Sequence, residues 1–142
     1  MKLRWQAVMM VAVVWGLGTL RATGAGAPKN EEAVEAARAW LALMDAGRYA
    51  EGWESAAAYL KQALPKEQFE QSMQAARGSL GNVTLRTLTS TEATNTLPGA
   101  PDGEYVVIRY STTFQHKLTA VETLTPMHEP DGSWRIAGYY IK

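Results

Sequence analysis

The chain divides into an apolar leader, a segment of helical periodicity and a segment of strand periodicity. Residues 5–20 are almost uninterruptedly apolar. Between about residues 31 and 81, apolar side chains recur every three or four positions, which predicts amphipathic helices. After Gly81 apolar and polar residues alternate, which predicts strands. The pattern therefore predicts an α+β domain, with three helices packed on a curved four-stranded antiparallel sheet.

The boundaries of the three helices follow from their capping residues. Asn30 precedes two acidic residues and suits an N-cap, and Gly47 suits the end of the same helix. Pro65 is well placed to open the third helix. The apolar faces predicted for the three helices are Val34, Ala37, Leu41 and Met44, then Tyr49, Trp53, Ala56, Ala57 and Leu60, then Phe69, Met73, Ala76 and Leu80.

Four strand-like segments follow the helices. Residues 97–103 form a strong turn, and Pro130-Asp131-Gly132 predicts a hairpin between the last two strands. In the last strand, alternation places Trp134, Ile136, Gly138 and Tyr140 on one face. The four segments are residues 83–89, 104–115, 118–128 and 133–141.

Residues 1–27 have the order of a secretion signal. Two cations precede the apolar run, and the small residues Ala25-Gly26-Ala27 follow it. As a helix the run would reach about 24 Å, short of the ~30 Å hydrocarbon core, so a retained anchor is the less favoured alternative. We expect a removable signal over 1–27, cut after Ala25 or Ala27. A single periplasmic or secreted domain over 28–142, with no stable membrane span, would follow.

Charge and composition argue against several classes of protein. Lys2, Arg4 and Arg21 are three of the 14 basic residues, and none of the 14 acidic residues lies in 1–27. The remainder has a net charge of about −3 and no basic stripe, which argues against nucleic acid as a partner. Cysteine is absent, so neither a disulfide nor a lipid-modified cysteine is expected. No nucleophile elbow and no glycine-rich loop after a strand is found, so no cofactor is expected.

Glu122 is the most informative single residue. Alternation places it on the same strand face as Leu118, Ala120 and Leu124. If that face is the inner one, the carboxylate lies in the core or at a cavity wall and needs a cationic partner, for which the candidates are Arg86, Arg77 and Arg109. In the alternative, the other face of the strand is buried and Glu122 meets water. An ion pair is the favoured role over general-base catalysis, for which Tyr110 is the one evident oxyanion partner.

The other candidate residues are two histidines and a set of aromatics. His116 and His128 lie twelve residues apart on one predicted strand, roughly 40 Å if it is straight, so we expect no shared metal site. The aromatics either pack the core or line an apolar pocket. They are Trp40, Trp53, Tyr59, Tyr110, Trp134 and Tyr140. The candidate pocket residues are Arg86, Tyr110, Glu122, Trp134 and Tyr140.

Three motifs carry a resemblance to a known family. They are RGSLGNVTLR at 77–86, LPGAPDGEYVV at 97–107 and DGSWRIAGYY at 131–140. Together they resemble the DUF4019 family of bacterial exported proteins, over about residues 33–142. The resemblance implies a cystatin-like or NTF2-like roll with a cone-shaped cavity. It implies no catalytic residue, because the family is one of unknown function.

These observations favour a non-enzymatic exported domain. It would bind an unidentified protein or small ligand through its sheet or cavity, and a homodimer through the sheet is a further alternative. The competing hypothesis is an enzyme of the isomerase or dehydratase type, with Glu122 as general base in an NTF2-like cavity.

Overall fold

The computed structural model describes residues 27–142, so the predicted signal lies outside the described residues except for Ala27. In this part of the chain, four helices are followed by one antiparallel sheet with the strand order β1-β2-β3-β4. The predicted α+β class is confirmed. None of the described helices is long and apolar enough to span a membrane. The elements are α1 (Ala27–Asp45), α2 (Tyr49–Glu54), α3 (Ala58–Ala63), α4 (Lys66–Arg77), β1 (Val83–Thr94), β2 (Tyr105–Phe114), β3 (Lys117–His128) and β4 (Trp134–Ile141).

The first helix starts earlier than predicted and ends as predicted. It begins at Ala27, three residues before the cap that the sequence predicts at Asn30. Pro28 does not prevent this start, because the first turn of a helix uses no intrahelical N–H bond. Gly47 has a φ of +74°, the left-handed conformation that follows the end of a helix and that glycine adopts without strain.

Where the apolar spacing predicts one helix over residues 49–60, the structure has α2 and α3. Ala57 between them is extended, and its N–H donates to the carbonyl of Ile136 in β4 at 2.9 Å. The indole N–H of Trp53 donates to the carbonyl of Leu64, just beyond α3, at 2.8 Å. Tertiary hydrogen bonds therefore replace the helical ones at this bend and attach the helical layer to the edge of the sheet.

One face of the sheet packs against the helices and forms the main core. Its central contacts are aromatic: Trp40 of α1 lies edge-on to Phe69 of α4 and to Tyr139 of β4. We call this the inner face. The main core comprises Ala33, Ala37, Trp40, Leu41, Met44, Ala56, Leu60, Leu64, Phe69, Met73, Val106, Ile108, Tyr110, Leu124, Ile136 and Tyr139.

The opposite, outer face of the sheet has no helix on it in the described chain. A small cluster of Leu97, Tyr105 and Val107 covers one end, beside the β1–β2 loop. β1 extends to Thr94, past the predicted segment 83–89, because its threonine-rich second half still pairs with β2.

Candidate functional site

The structure places Glu122 on the inner face of the sheet. The residue pairs with Tyr110 in β2 and with Ile141 in β4, so it lies on one of the two central strands. It is fully buried, with 0% of its surface exposed. The inward orientation is therefore the one found. Leu118, predicted on the same face, lies near the start of β3 and is 73% exposed, because the pairing of β3 with β2 is irregular between Lys117 and Ala120 and interrupts the alternation there.

Each oxygen of the Glu122 carboxylate accepts two hydrogen bonds. Arg86 of β1 donates from Nε to Oε1 at 2.8 Å and from Nη2 to Oε2 at 3.3 Å. The hydroxyl of Thr112 donates to Oε1 at 2.6 Å, and the hydroxyl of Tyr139 donates to Oε2. Four donors fill the acceptor positions of an ionised carboxylate, which offsets the cost of removing it from water. Of the three predicted cationic partners, Arg86 is the one found.

Arg86 also binds a second carboxylate, that of Asp45 at the end of α1. Its Nη1 donates to Oδ2 at 2.7 Å and its Nη2 to Oδ1 at 2.9 Å. Arg77, at the end of α4, donates from Nη2 to Oδ1 of Asp45 at 2.6 Å, and its guanidinium lies 5.5 Å from the ring of Phe114. Two cations and two anions thus balance. We call Asp45, Arg77, Arg86 and Glu122 the ion network; it runs from the fully buried Glu122 to Asp45, whose side chain is one-third exposed.

The surroundings of Asp45 and Arg86 favour the ionised forms of these two residues. Burial raises the pKa of Asp45, but the hydrogen bonds and charges of Arg86 and Arg77 outweigh it and hold the pKa below its usual value. Burial lowers the pKa of Arg86, but its hydrogen bonds to the two carboxylates outweigh burial, and the pKa is raised overall. Burial, and after it the charge of Glu122, raises the pKa of Tyr139 well above its ordinary value. The hydroxyl therefore stays protonated and donates a hydrogen bond to Glu122.

Two polar atoms beside the network have no hydrogen-bond partner. They are the hydroxyl of Tyr110 and Nη1 of Arg77, both fully buried. Burial raises the pKa of Tyr110, so the hydroxyl is neutral, and it does not bond to Glu122 although the two residues pair across the strands. The predicted oxyanion partner is therefore close to Glu122 but is not engaged with it.

The five candidate pocket residues do not line one pocket. Arg86, Tyr110 and Glu122 come together as described. Trp134 lies seven residues from the partner of Glu122 on β4, about 23 Å along the strand. Tyr140 pairs with Thr123 and points to the outer face, so its placement with Trp134 on one face is wrong. The pairing skips Ala137 between Gly138 and Ile136, and this irregularity shifts the alternation and turns Tyr139 inward instead.

Sequence reasoning missed Asp45, Thr112 and Tyr139. Strand alternation puts Thr112 on one face with Tyr110 and Phe114, and that shared face was the available signal. For Asp45, the signal was an acid at a helix C-terminus, where the helix dipole disfavours it unless cations are near. No local pattern marks Tyr139, because its orientation depends on the irregular pairing of β3 with β4.

The two histidines lie at opposite ends of β3. His116 is exposed in the β2–β3 turn, whereas His128 is half-buried against Trp134, with ring centres 5.0 Å apart. Nδ1 of His128 lies 3.3 Å from Glu104, which also accepts a hydrogen bond from Lys29. Among residues 27–142, no group of three or more histidines and acids is arranged to hold a metal ion.

An open depression of about 300 Å³ lies on the surface away from the network. It contains none of the five candidate residues. Its walls carry both charges, and Arg135 there contacts Ser133 and Asp131. The depression is lined by Ala58, Lys61, Glu129, Pro130, Asp131 and Arg135.

Strands β1 and β3 carry the large apolar side chains that remain in water in the described chain. Leu85 is 63% and Leu88 42% exposed on β1, and Leu118 and Val121 are exposed on β3. Leu85 pairs with Thr113 and Val121 with Ser111, so both lie on the outer face. Exposed apolar groups gathered on one part of a surface are typical of interaction sites.

Comparison with known proteins gives a family without an activity. A family model described as "Protein of unknown function (DUF4019)" matches residues 36–139. No curated protein matches the chain. No solved structure matches it either.

Proposed function

This chain belongs to the DUF4019 family, and we propose that it is a non-enzymatic exported domain that binds a partner protein through its sheet. The exposed side chains Leu85 and Leu88 carry this proposal. Both lie on β1, an edge strand of the sheet, Leu85 on the outer face and Leu88 on the inner face. Burying such residues against another protein is favourable by about 25 cal/mol per Å² of apolar surface.

The contacts of Glu122 argue against the competing enzyme hypothesis. A general base needs a free lone pair within hydrogen-bond reach of a substrate proton. Here Arg86, Thr112 and Tyr139 occupy both carboxylate oxygens, and the side chain has no exposed surface. The carboxylate is therefore suited to holding the fold together.

Export is supported by the leader pattern of residues 1–27. The charge, apolar run and small residues occur in the order that signal peptidases require. We propose a periplasmic or secreted location on this basis.

Site-specific photo-crosslinking in a secreting bacterial host tests the proposal. A photoreactive amino acid replaces Leu85 or Leu88 in turn, and Gln62, exposed on α3, is the matched control. We expect covalent adducts from the sheet positions, in the periplasmic or secreted fraction, and none from position 62. Equal labelling at position 62, or no adduct at any sheet position, would contradict the proposal.

A further inference from the structure

The sheet has two edge strands, β1 and β4, which differ in what packs beside them. On β4, the carbonyl of Ile136 accepts a hydrogen bond from the N–H of Ala57, so the bend between α2 and α3 covers this edge. β1 is twelve residues long and, in the described chain, pairs with a strand on one side alone. An uncovered edge strand presents a row of unpaired backbone N–H and C=O groups that another strand can bind.

β1 has few of the features that usually protect an edge. It contains no lysine and no proline, and its protective features are two irregularities in its pairing with β2, the inward-pointing Arg86 and the single acid Glu92. Its single cation, Arg86, turns inward to Glu122 and Asp45 and does not repel an approaching strand. Most of the remaining residues are threonine, a β-branched residue that favours strand pairing.

Leu85 and Leu88 indicate what covers this edge. Leu85 pairs with Thr113 and faces outward, whereas Leu88 pairs with Tyr110 and faces inward, yet both are exposed. A partner packed on the outer face would cover Leu85 and leave Leu88 in water. A strand added alongside β1 would place a side chain next to each of them, one on either face.

We infer that a second copy of this chain adds its own β1 antiparallel to β1 and continues the sheet to eight strands. The inference rests on the proposed function and names the partner. β1 has two charged residues, Arg86 and Glu92, which lie on either side of Thr89. A two-fold axis near Thr89 therefore places neither residue opposite its own copy. The charge of Arg86 is in addition balanced by Glu122. The helical bend bound at Ile136 obstructs addition of another β1 to the β4 edge, the head-to-tail contact that would give open fibres, and so favours the closed two-fold pair.

Sedimentation equilibrium of the purified protein tests the inference. We expect a dimer at about 5–200 µM, with concentration-dependent dissociation. The double variant Leu85→Lys/Leu88→Lys places charges on the open edge and should weaken self-association at least ~10-fold. Val121→Lys is the matched control, since this exposed residue lies on the outer face away from the edge, and it should leave the dimer intact. Circular dichroism confirms that each variant is folded.

Cysteine cross-linking gives a second readout, because the natural chain has no cysteine. Thr87→Cys, Thr89→Cys and Thr91→Cys are made singly, with Val121→Cys as control. Facing residues of an antiparallel pair have Cα atoms about 4.5–5.5 Å apart, within disulfide range, so at least one β1 position should oxidise to a covalent dimer.

Three results would overturn the inference: a monomeric wild type over the whole concentration range, a dimer that Val121→Lys alone dissociates, or cross-linking confined to Val121→Cys. Each of these leaves the proposed function intact if photo-crosslinked adducts with another protein still form at the sheet positions. Absence of all adducts, with a monomeric protein, would remove both.

Discussion

At the scale of single residues, Glu122 of β3 joins all four strands of the sheet. Its partners come from β1, β2 and β4. A carboxylate placed there without them would be a buried, uncompensated charge, and so would Arg86 without the carboxylates. Removing either partner is therefore expected to lower the free energy of unfolding by more than the ion pair itself contributes to it.

We predict that Glu122→Ala lowers the free energy of unfolding by about 3–5 kcal/mol, and Glu122→Gln by less. Alanine removes one of the two carboxylates that bind Arg86, leaves the network with one excess cation and leaves two hydroxyls without an acceptor, whereas glutamine keeps one acceptor oxygen. Urea melts measure both. Glu32→Gln, an exposed glutamate on α1, is the control and should change stability by less than ~0.5 kcal/mol. Wild-type stability in both Glu122 variants would contradict the buried pair.

The two buried tyrosines beside the network give a second, matched comparison. The hydroxyl of Tyr139 donates to Glu122, whereas that of Tyr110 has no partner. Tyr139→Phe should therefore cost about 1–3 kcal/mol, and Tyr110→Phe should be neutral or stabilising, because it removes an unsatisfied polar group. Denaturant melts decide this. A loss above ~1 kcal/mol in Tyr110→Phe would mean that its hydroxyl has a partner in solution.

The sequence predicted the place of Glu122 better than its surroundings. Strand alternation put Glu122 on one face with Ala120 and Leu124 but left open whether that face was the inner one, and Arg86 was one of three candidate cationic partners. Asp45 escaped notice, since its partner Arg86 lies 41 residues away in the chain. A pairing of that kind is set by packing and not by any periodicity.

At the scale of elements, the network joins the ends of two helices to the sheet. Asp45 is the last residue of α1, where the helix dipole disfavours an anion, and Arg77 is the last residue of α4, where the dipole favours a cation. The bond between them turns the unfavourable charge into a link between the two helices. Arg86 extends that link to β1.

The pH dependence of this link follows from the lowered pKa of Asp45. Its pKa in the folded state lies below the unfolded value, so its contribution is complete above about pH 4 and is lost as the pH falls through the folded pKa. Asp45→Asn should therefore be less stable than wild type at about pH 6.5, with a smaller gap at about pH 2.5. Urea unfolding at the two pH values measures the gap. An equal gap at both would mean that Asp45 is not stabilised as a carboxylate.

Two elements differ from their prediction for the same reason. The bend at Ala57 exists because its N–H finds Ile136, and the turn of Tyr139 toward Glu122 exists because β4 pairs irregularly with β3. Both depend on contacts between segments far apart in sequence. Periodicity identifies an element but does not report where tertiary contacts interrupt it.

At the scale of the whole molecule, the order of helices before strands was predictable. The change of apolar period at Gly81 marks the boundary, and the Pro130-Asp131-Gly132 hairpin lies where expected. A meander needs no long crossover, so element order alone fixes the strand order. The difference between the two edges of the sheet was not predictable, because one hydrogen bond from the helical layer produces it.

The ion network also bears on how the chain folds. Its three ion pairs join residues 32, 36 and 41 positions apart, so no pair can close until distant segments have met. Bringing such segments together costs loop-closure entropy, so we expect these pairs to form after the folding transition state. Interactions that are absent from the transition state slow unfolding and leave the folding rate almost unchanged. We therefore expect the network to lengthen the time for which each molecule remains folded, with little effect on how quickly it folds.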